Sequence, residues 1–82
     1  MMNYQEFLVW LETERKMSKR SARDVVSRLK RVVSFLGSIP LDNTSVSKLN
    51  EVAAFDECTK FIKSQLRRSV TLYLEYSNKL MR

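Results

Sequence analysis

The chain has 82 residues, with no histidine, one glycine, one proline and one cysteine. Each scarcity excludes something. Without histidine, no side chain has an ordinary pKa suited to proton transfer near neutral pH. Without a glycine-rich segment there is no loop to cradle a phosphate-bearing cofactor. Gly37 and Pro40 alone are too few for the many tight turns of an all-β fold. Cys58 has no second cysteine to pair with. With neither histidine nor another thiol it makes no metal site, and it reads as a partly buried structural thiol. No stretch approaches the ~20 apolar residues of a membrane span. The segment Met1 to Glu14 also lacks the basic start and apolar run of a signal peptide. These absences lead to the expectation of a cytoplasmic, non-enzymatic protein with no cofactor and no metal.

What is present is a core and an excess of positive charge. Apolar residues make up 44% of the chain and eight side chains are aromatic, enough to close one small domain over residues 1–82. The apolar residues recur at helical spacing. Asn3 and Glu6 have the form of a capping box, followed by Phe7, Leu8, Trp10 and Leu11, with Met17 closing the segment. The spacing predicts a helix from about Tyr4 to Lys16. Ser18 is a suitable N-cap for a second helix, and Gly37 suits the left-handed position beyond its end. Between them Ala22, Val25, Val26, Leu29, Val32, Val33 and Leu36 repeat at steps of three and four.

Gly37 to Pro40 predicts a connection. Leu41, Val46, Leu49, Val52 and Phe55 follow as one shorter helical stretch, capped by Thr44 or Ser45 and ending at Asp56–Glu57. Thr59 reads as the N-cap of a last helix reaching about Asn78, with Ile62, Leu66, Val70, Tyr73, Tyr76 and Leu80 on its apolar side. Tyr73 and Tyr76 therefore read as core residues with hydrogen-bonded hydroxyls. The expected fold is all-α: a compact orthogonal bundle of four helices, or five.

The charge is concentrated. From Arg15 to Arg31 eight basic residues stand against one acid, Asp24, a larger surplus than the +6 of the whole chain. On a helical wheel with Lys19 at zero, the apolar residues of the second helix fill roughly 220° to 340°. Lys19, Arg23 and Lys30 lie at about 0° to 40°, Arg20 and Arg31 at about 100° to 120°, with Ser27 and Ser34 between. Arg28 alone is set apart. In the last helix Lys60, Lys63 and Arg67 stand away from the apolar side and Arg68 is on another flank, with no acid between Glu57 and Glu75. Solvated helix faces normally mix basic residues with Glu at i+4. The second helix has only Asp24 to mix with, and a face that repels itself is explained by a polyanionic partner, of which nucleic acid is the commonest. Glu6, Glu12 and Glu14 read as ordinary solvated carboxylates, so no catalytic residue is assigned.

The pattern resembles the N-terminal core-binding (SAM-like) domain of tyrosine recombinases and phage integrases. The opening YQEFLVWLETERKMSKRSARDVVSRLKRVVSFL is similar to that family's first two helices. Its junction is Lys16-Met17-Ser18-Lys19 and its aromatic-Leu ending is Phe35-Leu36. SQLRRSVTLYLEY, Ser64 to Tyr76, is similar to the family's last helix. The resemblance implies half of a clamp around duplex DNA, with the second and fourth helices contacting phosphates and the major groove. Carried onto this chain it implies Lys19, Arg20, Arg23, Ser27, Lys30 and Arg31, with Lys60, Lys63, Ser64, Arg67 and Arg68. The family's catalytic constellation of Arg, Lys, His and a nucleophilic Tyr has no counterpart in these residues, so DNA cleavage and strand exchange are not assigned; a separate catalytic chain would have to supply them.

The leading expectation is thus a monomeric, non-catalytic module for double-stranded DNA. The alternative is a small adaptor that uses its basic surface against an acidic protein partner. A helix-turn-helix reader is disfavoured because the basic helix is long and early. Membrane binding is disfavoured because the apolar faces are needed for the core. No heptad pattern supports a homodimer through an exposed Trp10 or Phe61.

Overall fold

In a computed structural model the described residues are 4–37, 41–42 and 44–80, and the side chain of Leu80 lies outside the description. Asn3 and the 38–40 connection also fall outside it. Among the described residues there are five helices and no strand: α1 Tyr4–Thr13, α2 Lys19–Leu36, α3 Ser45–Asn50, α4 Ala53–Asp56 and α5 Lys60–Leu80. The all-α expectation holds, with five helices because the third predicted stretch is two.

α1 stops at Thr13, three residues short of the predicted Lys16. Glu12 and Glu14 stand at its C-terminal end and no basic residue occupies its last turn, an unfavourable match to the negative end of a helix dipole. The chain then reverses. Glu14 N–H donates to Trp10 O at 2.8 Å, Met17 N–H donates to Leu11 O at 3.1 Å, and Lys16 takes φ 54°.

α2 begins as predicted. Ser18 is in extended geometry and its Oγ accepts from Ser21 N–H at 3.2 Å. It ends at Gly37, with φ 78° and ψ −156°. That differs from the left-handed helical geometry expected, but it is a backbone region essentially confined to glycine. A Cβ there would meet nothing within 4 Å, so the dihedral, not crowding, requires glycine.

The predicted single helix over Val46 to Phe55 breaks at Glu51–Val52. The N–H groups of Glu51 and Val52 bond only three residues back, to Lys48 O and Leu49 O, and Val52 then takes extended geometry with ψ 121° before α4 starts. Thr44 holds the N-cap position of α3 without capping it. Its hydroxyl and amide both donate to the Asp42 carboxylate, while Ser45 Oγ accepts from Asp42 N–H at 2.8 Å. These bonds from Thr44, side chain first, hold the Asp42 carboxyl below its ordinary pKa of 3.8. At α5 the predicted cap is present: Thr59 Oγ1 accepts from Ile62 N–H at 3.2 Å.

α2 and α5 pack most extensively, with α1 against both of them, α3 against both long helices, and α4 against α3. Phe7, Leu11, Ala22, Leu29, Val32, Leu49, Phe55, Leu66 and Val70 are buried at the centre. The rings of Phe7, Trp10, Tyr73 and Tyr76 join α1 to α5. Phe7 meets Tyr73 edge-on at 5.4 Å between centroids, and Trp10 lies 5.6 Å from Tyr76. Tyr76 Oη donates to Glu6 Oε2 at 3.3 Å. Trp10 is buried, so it offers no dimer surface; Phe61 is 67% exposed. On α5 the buried set is wider than the predicted stripe, taking in Ser69 and Leu72. Ser69 Oγ satisfies itself by donating to Leu66 O at 2.6 Å.

Candidate nucleic-acid interface

α2 presents Lys19, Arg20, Arg23, Ser27, Lys30 and Arg31 to solvent; all six are exposed. The helix has this outer surface because Ala22, Val25, Val26, Leu29 and Val32 are buried on the opposite side. The surface has two flanks. Arg23, Ser27 and Lys30 border a groove shared with Tyr4, Gln5 and Leu8 of α1. Lys30 Nζ sits 5.1 Å from the centre of the Tyr4 ring, a cation–π contact that steadies the ammonium while leaving it wet. Arg31 leans toward the α4–α5 junction. Its guanidinium donates to Cys58 Sγ at 3.9 Å and its carbon lies 5.5 Å from the centre of the Phe35 ring. Cys58 is half-buried and Sγ–H donates to Ala54 O at 3.4 Å, in keeping with a structural thiol. Lys19, Arg20 and Arg23 have no hydrogen bond or ion pair among the described residues.

The α5 residues divide differently. Lys63 and Arg67 face the short helices. Lys63 Nζ is 3.4 Å from Asp56 Oδ1, Arg67 donates to Asn50 Oδ1 at 3.0 Å, and both cations lie over the Phe55 ring, at 5.8 and 5.4 Å. Lys60, Ser64 and Arg68 are exposed and are not engaged this way. The candidate residues therefore form an open face on α2, an open edge on α5, and a pair occupied in holding α3 and α4.

One residue that sequence reasoning set aside faces the cleft between the two helices. Arg28 is half-buried, and it lines a cleft with Arg68 of α5 and with Lys16. Its wheel angle of about 180°, which separated it from the exposed face, is the angle that turns it toward α5. Only knowledge of which helix packs beside α2 could have recovered it.

Among the described residues there are two ion pairs, Arg15–Glu75 at 3.2 Å and Lys63–Asp56, and no group of acids, cysteine or histidine that could hold a metal ion. No described helix is long and apolar enough to cross a membrane. The fold and surface together define a small helical bundle with a predominantly basic face. No family model, curated protein or solved structure matches the chain.

Proposed function

We propose that the protein is a non-catalytic module for double-stranded DNA, binding the sugar-phosphate backbone with the exposed face of α2 and the open edge of α5, as in the recombinase core-binding domains its sequence resembles. The observation that carries this reading is the face of α2. Lys19, Arg20, Arg23, Lys30 and Arg31 are all exposed on one helix, and the first three have no ion pair or hydrogen bond among the described residues. Like-charged pairs such as Lys19–Arg23 and Arg20–Arg23 each cost about 0.2–0.5 kcal/mol in isolation. A phosphate backbone removes that cost and releases its own counterions. The arginines suit it further, since a guanidinium holds phosphate oxygens in pairs.

Titration of labelled protein with a generic duplex, beside anionic lipid vesicles, tests the proposal. Amide shifts along the outer face of α2 with the duplex and none with vesicles support it. Shifts with vesicles alone contradict it.

A further inference from the structure

Arg28 does not belong to the exposed face of α2. It is half-buried on the flank turned toward α5, has no ion pair or hydrogen bond among the described residues, and borders a cleft of about 420 Å³. Arg68 and Lys16 border the same cleft, and neither has an ion pair there. The one acid on the described lining is Asp24. Three cations thus meet one anion, a surplus of two positive charges around a space open to solvent. Arg28 is the half-buried member, so its charge is harder for water to screen than those of the outer face.

The remaining wall is mixed: Met17 and Val25 are apolar, and Ser18, Ser21 and Gln65 are polar. The hydroxyls of Ser18 and Ser21 line it. They are 3.1 Å apart and hydrogen-bonded to each other, with Ser18 Oγ also capping the Ser21 amide. Two guanidiniums from different helices, an ammonium and hydroxyl groups form a set of donors that suits a compact, multiply charged acceptor. A carboxylate is planar and carries one charge, so it would leave the surplus only partly met. A phosphate group has tetrahedral oxygens that can serve donors on both walls at once.

We infer that this cleft is a seat for a single phosphate group, between Arg28 of α2 and Arg68 of α5. Building on the DNA reading above, one backbone phosphate of the duplex occupies it and fixes the register of the protein on DNA, while the outer face of α2 supplies more diffuse attraction.

The test uses the labelled full chain, titrated with inorganic phosphate against sodium chloride of equal ionic strength and separately with a short generic duplex. Both titrations are repeated on the Arg28→Gln/Arg68→Gln double variant. The seat predicts saturable amide shifts at Ser18, Ser21, Arg28 and Arg68 with phosphate, absent in the double variant, and a salt dependence of duplex binding shallower by about 1 in slope, since one phosphate contact is lost. Phosphate shifts no larger than those of chloride overturn the seat, whatever the duplex does. Phosphate shifts without duplex binding uphold the seat and overturn DNA as the source of its phosphate. Duplex binding unchanged in the double variant overturns the seat's role in DNA binding and leaves the α2 face standing. Should the double variant not fold, Lys16→Gln at the exposed junction is read instead: phosphate affinity reduced about threefold upholds the seat, and unchanged affinity overturns it.

Discussion

The Arg67 guanidinium donates to the Asn50 side-chain oxygen at 3.0 Å, joining α5 to the end of α3 across the face of Phe55. A cation that looks free in sequence is thus already used inside the protein. Lys63, paired with Asp56, does the same one turn earlier. The contrast with Arg23, which has no such partner among the described residues, separates cations that hold the fold from cations available to a ligand.

Arg67→Ala is therefore expected to lower stability by about 0.5–1 kcal/mol, the scale of one partly exposed charged hydrogen bond with a cation–π contact. Arg23→Ala should stay within about 0.5 kcal/mol of the parent and weaken duplex binding. Paired urea unfolding and binding measurements check this. Equal stability losses in the two variants would contradict the division.

Lys16 is a side-chain-bearing residue at φ 54°. Left-handed geometry costs such a residue about 1–2 kcal/mol, so Lys16→Gly is expected to stabilise the fold by up to about 1 kcal/mol after allowing for glycine's greater unfolded freedom of about 0.4–1 kcal/mol. The same change removes a cation from the α2–α5 cleft. Higher thermal stability combined with weaker phosphate binding is the expected pair of results; lower stability would show that the turn is not strained.

The Trp10 indole Nε1 is buried and has no hydrogen-bond partner among the described residues, while Lys79 Nζ lies 5.6 Å from the ring centre. Trp10→Phe removes an unsatisfied donor whose burial costs about 1–3 kcal/mol, offsetting much of the packing lost. Its net effect should stay under about 1.5 kcal/mol. Trp10→Ala should cost about 3–5 kcal/mol, on the order of the whole stability of so small a domain. Chemical denaturation of both variants decides whether the donor is a burden.

Burial, and the charge of Glu6 beside it, raise the pKa of Tyr76 above 10.0; burial raises that of Tyr73. The fold thus prefers the protonated phenols. Their contribution is complete below the unfolded-state value near 10 and is lost as pH rises through the higher folded-state values. Stability should fall as pH rises above about 10, and Tyr76→Phe should flatten that fall. Urea midpoints across this range test the sign. An equal fall in Tyr76→Phe would remove Tyr76 as a cause.

Much of this fold was legible because its long helices carry their own punctuation. Ser18, Gly37 and Thr59 bound α2 and α5 where local chemistry says they should. The short helices were less so. The break at Glu51–Val52 depends on two three-residue-back hydrogen bonds, which no residue type announces. Leu72 and Ser69 escaped the stripe because α5 is covered on more than one side, and coverage is a property of the whole bundle. The same is true of the charged residues. Helical spacing grouped the exposed cations of α2 but could not show that Lys63 and Arg67 face α3 and α4, or that Arg28 shares a cleft with Arg68.

The central claim is that the α2 face binds duplex DNA through its phosphates, and the salt dependence of binding tests it most directly. With roughly five phosphates neutralised, log K against log[salt] should fall with a slope of about −4 to −5. Replacing Arg23 and Lys30 together should reduce the steepness by about 2 and weaken unrelated duplex sequences alike. Undetectable binding at low salt, or a double variant with the parent's affinity and slope, would contradict the account.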